Sequence, residues 1–122
     1  MTEKILKALR GAVGGADTPG AIAAGTVKLY DELLRRNGLS EGDVVSLFFS
    51  LTPDLRTLNP AAALRRSGRA GEIPMMVFQE AAVEGGGPGL IRILAHVYLD
   101  PAAPARHAYL EGAEHLRPDW AG

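Results

Sequence analysis

The sequence predicts a single α+β domain, a mixed sheet carrying its helices on one face. Three observations lead there. Two apolar runs, residues 73–78 and 90–99, are bounded by turn residues and have the length of buried strands. A third such run, VVSLFFSL, occupies residues 44–51. Residues 20–37 place apolar side chains at helical spacing, so strands and helices follow one another as β-α-β-α-β-β-β.

The first strand is expected over residues 6–13, an apolar stretch that ends in glycines and contains Arg10 followed by Gly11. Asp17-Thr18-Pro19 supplies a capping side chain and a proline for the first helical turn. Helix one then runs over 20–37 with Ile22, Thr26, Leu29, Leu33 and Leu34 on its apolar face, and Asn37-Gly38 closes it. Ser40 to Asp43 leads into strand two over 44–51, and Thr52-Pro53-Asp54-Leu55 is a loop. Pro60 opens a short helix that Gly68 ends. Strands three and four, residues 73–78 and 90–99, are joined by a glycine-rich loop over 84–89. Residues 106–110 form a fifth strand after the turn at Asp100-Pro101 and Pro104. The tail around Leu116-Arg117-Pro118-Asp119 is irregular, since proline disfavours helix in the residue before it.

At 122 residues the chain suits one domain, 1–122, with a real core. Its 47% hydrophobic and 22% charged content is that of an ordinary soluble protein. The formal net charge of -1 gives no reason to expect nucleic acid or an anionic membrane as partner. Without cysteine there is no disulfide framework, thiolate metal site or cysteine nucleophile. No apolar run approaches the roughly 18 residues of a spanning helix. Arg10 and Glu3 spoil the amino-terminal segment as a signal peptide, and the expected location is the cytoplasm.

Function has to come from the charges left in apolar segments. Glu80 follows the third strand and Arg92 lies inside the fourth; a charge there is costly unless it is paired or used. Aligned in one sheet, the two meet at the edge of a pocket, as an ordinary ion pair or as a working one. The glycine loop lacks the following helix and the Lys-Ser/Thr pair of a phosphate cradle. His107 and Glu111 stand four apart without an obvious third ligand, and Ser46, Ser50 and Ser67 have no nucleophile elbow. Arginines remain: Arg10, Arg65, Arg92, Arg106 and Arg117 fall near strand ends and helix termini. Guanidinium forks grip carboxylates at two points, so such a set with one glutamate suits a small hydroxylated dianion.

These residues resemble the AroH class of monofunctional chorismate mutases. The likeness runs through Arg10-Gly11-Ala12, Asp17-Thr18, Thr52-Pro53-Asp54-Leu55, Pro60-Ala61 with Arg65, and Gln79-Glu80. It continues through Gly85-Gly86, Ile91-Arg92, Arg106-His107, Tyr109-Leu110-Glu111 and Leu116-Arg117-Pro118-Asp119. Each piece is short, but their order and spacing span more than a hundred residues.

The resemblance implies a ferredoxin-like subunit, a homotrimer whose sheets build a pseudo-α/β barrel, and active sites in the clefts between subunits. It implies the Claisen rearrangement of chorismate to prephenate, with no cofactor, metal or covalent intermediate. By resemblance, Arg92 donates to the ether oxygen, Arg10 grips a carboxylate, Glu80 accepts from the ring hydroxyl and Tyr109 bonds a carboxylate. Arg65 and Arg117 match basic residues at the cleft mouth, and Ala61 and Leu116 match lining positions. Three positions depart from the pattern. Val77 replaces a small polar residue, Asn59 an aromatic one, and Ala62 a lysine. They leave open a relative acting on another chorismate-derived compound, or a trimeric binding module without catalysis.

Overall fold

The computed structural model describes residues 3–120; the two residues at each end of the expected 1–122 domain lie outside the described residues. Five strands form one sheet: β1 (Ile5–Gly14), β2 (Val44–Leu51), β3 (Met75–Gln79), β4 (Leu90–Leu99) and β5 (Ala108–Leu110). Two α-helices, α1 (Pro19–Asn37) and α2 (Pro60–Arg66), accompany it. The strand order is β3-β2-β4-β1-β5. β4 runs antiparallel to both neighbours, whereas β1 with β5 and β2 with β3 are parallel pairs.

The mixed α+β architecture agrees with the sequence, but the connectivity is not ferredoxin-like. That motif runs β-α-β-β-α-β, whereas here α2 follows β2 directly and leads to β3 at its side. Strand three also starts two residues later than expected. Pro74 has no N–H to give the ladder, although its carbonyl accepts from Leu47 N–H at 3.0 Å. The fifth strand is only three residues long, and two 3-10 turns, Glu41–Asp43 and Glu114–Leu116, were not anticipated.

α1 forms where its caps demand it. The Thr18 hydroxyl accepts from Ala21 N–H at 3.1 Å, Pro19 occupies the first turn, and Gly38 takes the left-handed conformation at the far end. Such an N-cap is worth about 1 kcal/mol. Ile22, Leu29 and Leu33 point from α1 onto the sheet and are fully buried.

Period-2 alternation divides the sheet into two faces. Leu9 and Val13 of β1, Ile91, Ile93 and Val97 of β4, and Leu47 and Phe49 of β2 lie under the helices and form the main core. Gly11 belongs to this face because there is no room for a side chain: a Cβ would stand 2.6 Å from the Ala108 carbonyl oxygen and 3.0 Å from Leu29. The opposite face carries Arg10 and Ala12, Arg92 and Leu94, Ser50 and Phe48. No helix covers it. β3 is therefore an open edge strand and not the buried one its composition suggested; Met76 and Phe78 are exposed.

Candidate active site

One transverse row of the open face crosses all five strands. Phe78 of β3 pairs with Ser50, Ser50 with Arg92, Arg92 with Ala12, and Ala12 with Tyr109 of β5. In such a row, partners on adjacent strands lie about 4.5–5.5 Å apart. Glu80 follows β3 and is tied down by its N–H, which donates to the Leu51 carbonyl at 2.8 Å.

The Glu80 side chain turns back over the row. Its Oε2 accepts from Arg92 Nε at 2.9 Å and from Ser50 Oγ at 2.8 Å. Both charged side chains are partly shielded, 20% exposed for Glu80 and 31% for Arg92. They border a cavity of about 610 Å³ whose other walls are Thr52 to Asp54 and the loop after Glu80. Asp54 pins that loop by accepting from Gly89 N–H at 3.0 Å. The Thr52 hydroxyl and this amide hold the Asp54 carboxyl below the usual carboxylate range.

A second group stands on the same face toward β5. The tail folds back so that Tyr109, Ala12, Leu90 and Ala113 form a small separate core with Leu116 and Trp120 against it. Trp120 stacks on His107 with ring centroids 3.8 Å apart, and the Arg117 guanidinium carbon lies 3.4 Å from the indole centroid. Arg10 stands 5.9 Å from the same ring, within cation–π reach. The Arg10 N–H donates to His107 Nδ1 at 2.9 Å. Burial, then the Arg10 and Arg117 charges, push the His107 imidazole below its ordinary value, which suits an acceptor. Asp119 accepts two hydrogen bonds from Arg117, at 2.7 and 3.1 Å. The Tyr109 hydroxyl is buried and has no partner among the described residues.

The chain thus gathers Arg10, Glu80, Arg92, Tyr109, Leu116 and Arg117 on the side of the sheet opposite the helices, with Tyr109 covered by the tail. It does not bring the remaining candidates to them. Asn59, Ala61 and Arg65 belong to α2 or its cap, which packs in the helix layer behind the sheet. Asn59 spends its side chain on capping, accepting from Ala61 and Ala62 N–H at 2.9 and 3.2 Å. Ala61 is buried in the main core, and Arg65 is exposed. Contrary to expectation, Val77 pairs with Phe49 on the helix side and packs against the core. Alternation along β3 dictates this, because Phe78 takes the open face.

Two residues at the site were not read as such in the sequence. Ser50 had a signal: Ser46, Phe48 and Ser50 alternate with Leu47, Phe49 and Leu51, marking a half-polar face. Trp120 had none beyond being the chain's one tryptophan.

Comparison with known proteins gives a consistent result. The family described as "Chorismate mutase type I" matches residues 6–120. Among curated proteins, Chorismate mutase AroH of Bacillus subtilis (strain 168) is 35% identical over 117 residues, covering 94% of this chain and 92% of that protein. Among solved structures, a chorismate mutase from Clostridium thermocellum superposes with a TM-score of 0.81 at 34% identity, covering 89% of this chain and 98% of the other.

Proposed function

The chain belongs to the chorismate mutase type I family, and from that premise we propose how its open face rearranges chorismate to prephenate. It is an isomerase of aromatic amino acid biosynthesis. The observation that carries the mechanism is the shared oxygen of Glu80. Holding Arg92 by Nε leaves both terminal guanidinium nitrogens available, and using Oε2 for Arg92 and Ser50 leaves Oε1 available.

In this reading Glu80 Oε1 accepts from the ring hydroxyl of chorismate. Arg10 and Tyr109 take a carboxylate, and the otherwise unpartnered Tyr109 hydroxyl gains its hydrogen bond. Gripped at both ends, the side chain of chorismate is held in the compact chair-like conformer, which removes most of the entropy from the barrier. The ether C–O bond then breaks as the new C–C bond forms. Negative charge gathers on the ether oxygen, and a terminal Arg92 N–H donates to it. That interaction strengthens in the transition state, so it accelerates the reaction instead of merely binding substrate. No proton moves and no covalent intermediate forms.

The proposal extends to a homotrimer with the site between subunits. Two features support it. Leu6, Met76, Phe78 and Tyr98 are large apolar side chains exposed on the uncovered face. Arg65 is exposed in the helix layer behind the sheet, so the cleft role that the resemblance gives it calls for a neighbouring copy. In that arrangement the uncovered faces line a pseudo-α/β barrel. Among the described residues no helix is long and apolar enough to cross a membrane, and a cytoplasmic location is part of the same reading.

Purified protein mixed with chorismate tests the proposal. Chorismate absorbance is expected to fall with matching appearance of prephenate. Consumption no faster than in buffer would refute it.

A further inference from the structure

We propose that Ser50 is a positioning residue for the rearrangement: its hydroxyl fixes Glu80 so that one carboxylate oxygen faces the substrate. This rests on the function proposed above and adds a residue to it. Glu80 lies beyond the last paired residue of β3, on the exposed loop side, where a lone ion pair would leave its carboxylate able to swivel about Arg92. The second donor removes that freedom. Ser50 Oγ and Arg92 Nε reach the same atom, Oε2, from adjacent strands, at 2.8 and 2.9 Å. Two donors converging on one oxygen restrain the plane of the carboxylate and leave Oε1 without a bond among the described residues, at the edge of the cavity that Glu80 lines.

The placement is particular to this row of the sheet. Ser46, on the same face of β2, lies opposite His96 and its hydroxyl is 3.1 Å from His96 Nδ1. Of these two serines, Ser50 is the one that pairs with Arg92. The serine also suits the gap left at Val77, whose side chain faces the core and offers nothing to the carboxylate. Polar support for Glu80 therefore comes from the neighbouring strand and not from its own.

Kinetics of Ser50→Ala, Ser50→Thr and Ser50→Ala in a Glu80→Ala background test this, with thermal melting as the check on folding. Removing the hydroxyl is expected to lower kcat about tenfold with KM changed less than about threefold, since substrate still binds but is held less often in the reactive pose. Threonine keeps the hydroxyl and suits a strand, so it is expected to restore kcat to within about threefold of wild type. Once Glu80 is alanine, losing Ser50 should cost no further activity. Wild-type turnover with an unchanged Ser50→Ala enzyme would overturn the inference while leaving the proposed function standing. So would equal losses in the alanine and threonine variants, or a full additional loss without Glu80. Absence of turnover in the wild type would instead remove the premise and both statements together.

Discussion

Arg92 and Tyr109 stand two strands apart in one row of the open sheet face, with Ala12 as the small floor between them. At the usual strand spacing, two strands give about 10 Å. Ala12 is fully buried, packed with Tyr109, Leu90 and Ala113 beneath the tail. In the proposed function, this separation assigns the Arg92 cation and the Tyr109 phenol to different ends of one small dianion.

Tyr109→Phe separates stability from affinity. The Tyr109 hydroxyl is buried without a partner, and an unsatisfied polar group costs about 1–3 kcal/mol. The phenylalanine variant should unfold at an equal or higher denaturant concentration while KM for chorismate rises. Loss of stability with unchanged KM would contradict the role given to Tyr109.

Gly11→Ala tests how β5 is brought up to β1. The added Cβ would meet the Ala108 carbonyl oxygen at 2.6 Å, with Leu29 and Ile93 close behind. Backbone cannot give way cheaply, so a destabilisation of about 1–3 kcal/mol is expected in denaturant melts. Because Ala108 precedes Tyr109, affinity should fall as well.

His107 makes stability pH-dependent in a defined direction. Its folded value lies below the ordinary one through burial and the charges of Arg10 and Arg117. The unfolded chain therefore binds the proton first. Stability is complete above about pH 6.5, falls as pH drops below it, and levels off below the folded value. Asp17, Asp43, Asp54 and Asp119 are also held low, but their contribution is lost only at more acidic pH. Melting temperatures measured from about pH 8 to pH 5 should show the decline, and His107→Asn, which keeps an acceptor, should flatten it.

The proposed sharing of sites between subunits predicts complementation. Arg92→Ala and Arg65→Ala should each be weak alone. Refolded together in equal amounts, they should regain activity, because about one interface in four then draws an intact arginine from each side. No recovery in a mixed trimer would place both arginines of a site on one chain.

Much of this was legible in the sequence, for physical reasons. β2 and β4 have the bounds expected from their apolar runs, and Thr18-Pro19 and Gly38 mark the ends of α1 through capping chemistry any helix needs. Glu80 and Arg92 stood out because a charge in an apolar strand requires a partner, and each is the other's. What failed depended on which face a residue takes. The resemblance implies that Val77 lines the pocket, but strand alternation turns its side chain toward the core. The run containing Met76 and Phe78 looks like a buried strand, yet helices cover one face only, and local sequence does not say which. The Trp120 stack depends on the tail returning over β1 and β5, a long-range contact without local signature.

The most direct test compares kcat and KM for chorismate in the wild-type enzyme and Arg92→Ala. If the Arg92 charge acts on the breaking ether bond, kcat falls about 10²–10³-fold or more while KM moves by only a few-fold. A raised KM with kcat unchanged would show that Arg92 merely binds substrate, and would contradict the account.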